Sequence, residues 1–532
     1  MEEILERVAE NLKINLDEVF SASLHGAPAI TGEPTSGPFS ILIVHSGRGL
    51  RILRRRIYEN LDMVVISGRR ELEDDSVERF GGVICHLFLY PYRVLRGLGG
   101  VKHIDEKYKR HVIVESLRNL ILEHRLASRD IIIEPRYFLY EKLRRLSIIY
   151  PLSRIMIKGA YMGQHASKAE EEVVRGFKAV LDRLVGEEVL ERNNGGYTPS
   201  QRFIEETISK TSIYLKVSED MERIFKLYLS AGQASSLDFL RNMRLDLSVF
   251  SPPKIPDPEE MIYIRTALRP QPLNVSLGIR EFVQKVYGVS SEVRVRRIGG
   301  ILNAAYMVSF RLRDMEEKIF VKRYLYWTDF KWVVAWLWAL GVRNFSVSAS
   351  ARMSNEIFFV NKLSELGFNT AEILHVNWPR KMLFQRYIDG LDGVSALRRG
   401  VAGMGLRQIA WKMGLTLAEL HSKGVFMGDC NPHSFRFTPS GEIYLTDLEQ
   451  CSLDGSPDWD LAELLHYTGH YLSGDEAEVF AENLVKGYLE IGGVDVVKAS
   501  LNPKYSRLIA PWTPIWIQRR IERGVRRALG II

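Results

Sequence analysis

The sequence predicts a multidomain α+β protein, on the strength of three observations. The chain has 532 residues, which is longer than one hydrophobic core usually serves. Short apolar strand patterns and longer helical patterns both occur, in different parts of the chain. The stretch SPPKIPDP, at 251–258, places four prolines in eight positions and predicts a linker between two main parts.

The composition is typical of soluble globular proteins, with 46% hydrophobic and 26% charged residues. Lys and Arg total 72 and Asp and Glu total 65, so the net charge is +7, a mild excess for this length. The positive charges cluster at 48–56, 294–297 and 519–527. Clustered positive charge would suit an anionic partner.

The sequence predicts a cytoplasmic location. It begins with MEEILERVAENLK, a charged helical pattern without the apolar region of a signal peptide. The longest apolar run, 332–340, is too short to span a bilayer. Cys85, Cys430 and Cys451 are too few for a disulfide framework or a four-cysteine zinc site. Peripheral contact with a membrane stays open.

The first predicted domain, 1–95, is a small α/β unit. Apolar positions at helical spacing predict a helix over 2–20, and the Gly/Pro-rich stretch at 25–38 predicts a loop. The runs FSILIVHSG and LDMVVISG predict two buried strands. The basic segment 49–60 between them has helix potential.

The next predicted domains are a helical one over 96–165 and a second unit over 166–212. In the latter, a helix at 171–184 precedes VLERNNGGYTPSQRFIEETISK, which predicts a strand, a Gly turn, an aromatic strand and a polar helix. This order resembles a winged helix, a unit that docks onto nucleic acid or protein. The acidic run Glu170–Glu172 favours protein. A helical segment and the Pro-rich linker follow over 213–290.

The most specific segment of the chain is HSKGVFMGDCNPHSFRFTPSGEIYLTDLEQ, at 421–450. Its pattern predicts a helix end, a short strand, a polar loop and two further strands. Asp429 lies in the loop and Asp447 follows the last strand. Two carboxylates on adjacent loops suit phosphoryl transfer, in which one orients the attacking hydroxyl and the other holds the metal on the ATP phosphates.

This segment resembles the atypical branch of the protein kinase superfamily, which includes RIO kinases, the small kinase of the archaeal KEOPS complex and aminoglycoside phosphotransferases. G-D-x-x-P-x-x-F replaces the usual H-R-D loop and D-L-E replaces D-F-G. The resemblance implies a two-lobed fold that uses ATP with Mg²⁺ or Mn²⁺. Asp429 would be the catalytic residue, Asp447 a metal ligand, and Asp460 the brace of the catalytic loop. The whole chain also resembles an uncharacterised archaeal group of multidomain predicted kinases.

The upstream parts of a kinase occur in the required order, over a predicted domain at 291–505. Gly299 and Gly300 form a turn between strands, where backbone N–H groups would approach phosphates. The resemblance implies that Lys322, in KIFVKRY, contacts phosphates and pairs with Glu356 of the following helix. In the strand KMLFQRYIDG, Gln385 and Tyr387 mark the expected adenine site.

One position departs from this family pattern. The family normally has asparagine five residues after the catalytic aspartate, as a second metal ligand, and this chain has Ser434. Asn431 and His433 lie nearby at the wrong spacing. Serine is a poorer, neutral ligand, so this substitution favours ATP binding over turnover.

For two segments, the sequence predicts more than one role. The stretch 327–340 carries four of the nine tryptophans and predicts either an extra packed helix or an interfacial helix on a membrane or lipid-like substrate. The predicted C-terminal helix, at 506–532, has apolar residues at four-residue spacing and five arginines on other faces. It predicts docking onto the kinase-like domain, or contact with RNA or an anionic membrane.

The N-terminal pattern resembles the polymerase-β-like nucleotidyltransferases, whose two metals need a pair of carboxylates on one strand and a third on a later strand. Ser40 and Leu42 stand where the pair belongs, and only Asp62 matches the third. The resemblance therefore implies a degenerate, non-catalytic binding domain.

Three functions follow from these residues. The first is an ATP-dependent phosphotransferase acting on a Ser/Thr-type protein or a small-molecule hydroxyl, with non-catalytic N-terminal domains that select the partner. The second is a nucleotide-binding pseudokinase that assembles protein or RNA. The third is a kinase associated with membranes or lipids.

Overall fold

The chain is a multidomain α+β protein that divides into two compact units. The first comprises Met1–Glu123 and Ile131–Tyr263, and the second comprises His124–Asp130 and Ile264–Ile532. The computed structural model describes residues 2–54, 57–210, 251–290, 292–298, 304–325, 346 and 348–531.

The first unit contains a five-stranded sheet in the order β3-β4-β2-β1-β5. Strands β2 and β4, the two apolar runs of the sequence, are parallel neighbours, as continuous apolar strands at the centre of a sheet often are. The strands are β1 (Val19–Gly26), β2 (Phe39–His45), β3 (Leu50–Leu53), β4 (Leu61–Gly68) and β5 (Tyr92–Arg96).

Two helix predictions for this sheet are wrong. The helix expected over 2–20 ends at Leu12, and β1 begins at Val19. Strand β3 occupies part of the expected helix 49–60 and pairs antiparallel with β4. In both cases pairing with an apolar neighbour decides the backbone conformation, because strand formation depends more on neighbours than on local propensity.

In the rest of the first unit, the stretch predicted as a helical domain, 96–165, is mainly helical. The exception is the three-residue strand β6 (Ile131–Ile133), which local patterning did not indicate. The helices are α1 (Glu2–Leu12), α2 (Pro28–Thr31), α3 (Arg69–Asp75), α4 (Leu98–His124), α5 (Pro135–Ile149), α6 (Ser153–Tyr161), α7 (Ala166–Gly186) and α8 (Gln201–Lys210).

The predicted order of helix, strand, turn, strand and helix is present at the end of this unit. Strands β7 (Leu190–Asn193) and β8 (Gly196–Pro199) form an antiparallel hairpin between α7 and α8. Gly195 in its turn has a φ of 106°, a conformation that glycine adopts without steric cost. Strand β6 pairs with β8 through Ile133 and Tyr197.

The second unit contains two sheets, ordered β11-β12-β13-β16-β15 and β14-β19-β18-β17. The short strands β9 (Ile262–Ile264) and β10 (Gln271–Pro272) precede them in the chain. The strands of the two sheets are β11 (Arg294–Ile298), β12 (Ala304–Leu312), β13 (Met315–Arg323), β14 (Asn369–Thr370), β15 (Ile373–Asn377), β16 (Met382–Arg386), β17 (Leu391–Asp392), β18 (Phe435–Phe437) and β19 (Ile443–Leu445).

The helices of the second unit pack on the first of these sheets or form a separate helical layer. Helix α9 buries Phe282 and Val283 with the apolar side chains of β12 and β13. The helices are α9 (Ile279–Tyr287), α10 (Ala349–Glu365), α11 (Gly393–Arg399), α12 (Leu406–Ser422), α13 (Pro457–Gly469), α14 (Gly474–Leu489), α15 (Val494–Ser500), α16 (Pro503–Ile509) and α17 (Ile515–Ala528).

A short segment from earlier in the chain, His124–Asp130, belongs to this second unit. The Ser354 hydroxyl on α10 donates to the carbonyl of His124 and accepts the backbone N–H of Ala127. The sequence did not predict this attachment, since a separation of more than 200 residues leaves no local pattern.

The C-terminal helix α17 packs on α14 through Ile517, Ile521 and Val525, which are buried. The two backbones approach closely at Gly524, where a Cβ would lie 2.3 Å from the carbonyl oxygen of Glu478. This is the docked arrangement that the sequence left as one of its alternatives.

Within the described parts of the chain, no helix combines the length and hydropathy needed to cross a membrane. Three predictions fall outside those parts. They are the glycine turn at Gly299 and Gly300, the tryptophan-rich stretch 327–340, and the helical segment expected between 213 and the Pro-rich linker.

Candidate functional site

Lys322 lies at the centre of a cluster of carboxylates in the second unit. Its Nζ is 3.1 Å from Glu356 Oε2, 2.5 Å from Asp447 Oδ1 and 3.1 Å from Glu449 Oε2. Arg352 NH1 adds a second positive charge, 3.6 Å from the same Glu449 oxygen. The cluster therefore joins a strand, a helix and the segment after a second strand.

Local structure places each member of this cluster. Strand β13 holds Lys322 between β12 and β16, in register with Ala305 and Leu383. Helix α10 carries Glu356 and begins at a Ser348 cap, whose hydroxyl accepts the N–H of Ala351.

Asp447 follows β19 with φ 58° and ψ 51°, in the left-handed region. Aspartate tolerates this conformation better than most residues. The turn that follows, Leu448–Gln450, brings Glu449 back to the same lysine. Asn355 on α10 fixes the turn by donating from its amide to the carbonyl of Glu449.

The charges in the cluster depend on one another. Burial alone would lower the pKa of Lys322, but Asp447, Glu356 and Glu449 outweigh it and hold this pKa well above its ordinary value. Burial raises the pKa of Glu356 to about 7, against the opposing effect of the Lys322 ammonium. The lysine is therefore charged at neutral pH.

A cavity of about 270 Å³ opens beside this cluster. Lys322, Glu356, Asp447 and Glu449 line it, together with the residues expected at the adenine site, Gln385 and Tyr387. The cavity is therefore lined by a lysine, by carboxylates and by the end of β16.

The chain segment after β16 is held in place by Arg436. Its guanidinium donates to the carbonyls of Ile388 and Gly390 at 2.6 and 3.1 Å, and it lies over the Tyr387 ring at 5.4 Å. These contacts fix the backbone that follows Gln385 along one wall of the cavity.

The loop that carries Asp429 is braced by Asp460, which is fully buried at the start of α13. Its carboxylate accepts the backbone N–H groups of Met427 at 2.6 Å and Gly428 at 2.8 Å. The imidazole of His421 lies 3.2 Å from the same carboxylate. Asp460 therefore holds the backbone on the N-terminal side of Asp429.

Asp429 and Ser434 lie together in this loop. One Asp429 carboxylate oxygen accepts the Asn431 amide at 3.1 Å. Ser434 is fully buried, and its hydroxyl donates to the Asp429 carbonyl at 3.5 Å. Neither residue is among those that line the cavity. The carbonyl of Ser434 accepts the backbone N–H of Thr446 at 2.9 Å, so Ser434 lies beside the residue that precedes Asp447.

Sequence reasoning missed two carboxylates of this region. Glu449 joins the Lys322 cluster, and its only sequence signal was the third letter of D-L-E. Glu463 accepts the backbone N–H of Cys430 at 2.8 Å and so braces the Asp429 loop from a second point. Its signal was a spacing of three residues from Asp460, which places both on one face of α13.

Among the described residues, Glu356, Asp447 and Glu449 form a group that could hold a metal ion. Their carboxylate oxygens lie within 4.8 Å of one another. Oxygen ligands of this kind suit Mg²⁺ and Mn²⁺.

At the positions where nucleotidyltransferases carry their three metal-binding carboxylates, the described residues of the first unit do not form such a set. Ser40 and Leu42 are both buried in β2, and Ser40 contacts the Met156 sulfur. Asp62 is paired with Arg54 at 3.4 Å. The second unit is therefore the one with a candidate site for phosphoryl transfer.

No protein-family model matches this chain, and a comparison with curated proteins also found no match.

Proposed function

We propose that this chain is an ATP-dependent phosphotransferase whose second unit is an atypical, two-lobed protein-kinase-like domain. The observation that carries the proposal is the contact of Lys322 with Glu356 and Asp447 beside a cavity. A kinase uses such a lysine on the ATP phosphates, with the helix glutamate to hold it and the aspartate to hold the metal.

The arrangement of elements supports this proposal. The sheet that contains β13 and β16, with α10, corresponds to the small lobe of a kinase. The helices α11–α17 and the short sheet with β18 and β19 correspond to the large lobe. ATP would occupy the cavity with its adenine beside Gln385 and Tyr387 and its phosphates beside Lys322.

The residues present fit a divalent cation. The Glu449 Oε2 atom is buried and accepts no hydrogen bond from the described residues, and it faces the carboxylate of Asp447 across Lys322. A bound Mg²⁺ or Mn²⁺ would neutralise phosphate charge. Asp447 would hold it, whereas the buried Ser434 does not fit that role.

The chemistry assigned to the chain itself is positioning and proton transfer. Asp429 would accept the proton of an acceptor hydroxyl, whose oxygen then forms a bond to the γ-phosphorus as the bond to ADP breaks. Asp460 holds the backbone on the N-terminal side of Asp429 and acts as a positioning residue.

Transfer of label from γ-labelled ATP, either to the chain itself or to added proteins of the native host, tests this function. Asp429→Asn should bind ATP and lower transfer by about a hundredfold or more, because it removes the base. The exposed Asp454→Asn is the matched control and should transfer normally. If Asp429→Asn transfers as well as the wild type does, the assignment of the base is wrong.

A second candidate function is a nucleotide-binding scaffold without turnover. The burial of Ser434 favours it, because the hydroxyl at the position of a usual metal ligand donates to the Asp429 carbonyl within the loop. Nucleotide binding without any transfer by the wild type would select this alternative.

A further inference from the structure

Glu449 has no counterpart among the roles assigned above, although it is one of the most buried carboxylates in the site. Its side chain is 7% exposed, it lines the cavity, and its Oε2 accepts no hydrogen bond from the described residues. The contacts of this oxygen are ion pairs, with Lys322 Nζ at 3.1 Å and Arg352 NH1 at 3.6 Å. A buried carboxylate oxygen without a hydrogen bond is costly and needs a cation.

One ammonium serves three carboxylates in this cluster. Lys322 contacts Glu356, Asp447 and Glu449, and Arg352 lies beside Glu449. The Lys322 ammonium stands between the three carboxylates, whose oxygens all lie within 4.8 Å of one another. Oxygens that share one six-coordinate divalent ion through bonds of about 2.1 Å lie no more than about 4.2 Å apart. A small movement of these side chains would therefore let them share one ion.

We infer that Asp447 and Glu449 form a divalent-cation site that the Lys322 ammonium occupies until a nucleotide draws it away. Glu449 supplies the second protein ligand, in place of the position taken by Ser434. Lysine and metal ion compete for the same two carboxylates, so the free protein binds metal weakly. Polyphosphate binding turns the ammonium towards phosphate oxygens and frees both carboxylates for the ion.

This inference deepens the proposed function and rests on it only in naming ATP as the trigger. The competition between lysine and metal is a property of the chain alone, so it is tested without nucleotide and without activity.

The experiment is a titration of the full chain with Mn²⁺ in which electron paramagnetic resonance counts the free ion. Lys322→Met should bind Mn²⁺ at least about tenfold more tightly than the wild type, because a positive charge at contact distance has been removed. The double variant Lys322→Met, Glu449→Gln should lose that gain. Lys318→Met, on the same strand and paired with Glu316, is the control and should match the wild type.

Two results would overturn the inference. One is a Lys322→Met chain that binds Mn²⁺ no more tightly than the wild type. The other is a double variant that binds as tightly as Lys322→Met alone. Circular dichroism checks that each variant is folded.

A second arm covers the case in which Lys322→Met does not fold. With a non-hydrolysable ATP analogue present, Glu449→Gln should bind Mn²⁺ more weakly than the wild type, by at least the roughly tenfold that loss of an outer-shell partner costs. If Glu449→Gln and the wild type bind Mn²⁺ with equal affinity in that complex, the inference is wrong, but the proposed nucleotide site is unaffected. Failure of the wild type to bind the analogue counts against the proposed function. A nucleotide-free Mn²⁺ titration of Lys322→Gln, which also removes the charge but keeps a polar side chain, then decides the metal site, and an affinity equal to that of the wild type overturns the inference.

Discussion

At the scale of single residues, Asp460 connects stability with function. It is fully buried and its two carboxylate oxygens accept two backbone N–H groups of the Asp429 loop. Because buried N–H groups without acceptors are costly, this part of the loop depends on the Asp460 side chain for its conformation, while Glu463 holds the loop at Cys430.

Asp460→Asn should lower the free energy of unfolding by about 1–3 kcal/mol, because an amide offers one acceptor where two are needed. It should lower kcat for phosphoryl transfer while the affinity for ATP changes little, since Asp429 and the two N–H groups that Asp460 holds are not part of the cavity lining. Chemical denaturation and a steady-state assay measure the two effects. Asp495→Asn, an exposed residue of the same unit, is the control. An equal loss of ATP affinity would contradict a role confined to the loop.

The sequence indicated some site residues and not others, for a physical reason. Lys322, Glu356 and Asp447 could be proposed because each stands in an ordered series of strand, helix and strand end. Glu449 could not, because its direction depends on the left-handed conformation of Asp447 and the turn after it. The sequence likewise did not predict the burial of Ser434, because that burial follows from packing of the loop rather than from residue type.

At the scale of elements, α17 shows how positive charges of a basic amphipathic helix can be paired with carboxylates of the same chain. Its arginines pair with one acidic side chain of α14: Arg520, Arg523 and Arg527 lie 3.1, 3.6 and 2.7 Å from carboxylate oxygens of Glu478. This side chain is 8% exposed, so three cations surround one largely buried carboxylate. The pattern of charges alone did not distinguish this arrangement from contact with an external anion.

The apolar face of α17 supplies a matched pair of substitutions. Ile521→Ala should lower the free energy of unfolding by about 2–4 kcal/mol, because Ile521 is fully buried against α14. Ile515→Ala should change it by less than about 0.5 kcal/mol, because Ile515 is 61% exposed. Denaturant titration compares the two variants. Equal effects would show that this helix does not pack as described.

The strands of the first unit show where sequence patterns were insufficient. β2 and β4 were predicted because each is a continuous apolar run. β1 was missed because its Ser21, Ser23 and His25 are polar, although all three are buried. The hydroxyl of Ser23 lies 2.8 Å from the His25 imidazole, so these side chains satisfy each other inside the unit.

At the scale of the whole molecule, the chain combines two compact units, and the candidate site lies within the second. The main division falls after Tyr263, five residues beyond the proline-rich stretch 251–258. The inclusion of His124–Asp130 in the second unit depends on long-range contacts and was not predictable. This segment means that the second unit is not one continuous stretch of chain, so experiments on the site should use the full chain.

The central claim is that the Lys322 cluster binds the phosphates of ATP, and calorimetric titration of the full chain with MgATP tests it most directly. The wild type should bind one ATP per chain. Lys322→Met should bind it about ten- to a hundredfold more weakly, the effect of losing a hydrogen bond to a charged group, while Lys318→Met should bind it normally. Absence of binding by the wild type, or equal affinity of the folded Lys322→Met variant, would contradict the claim.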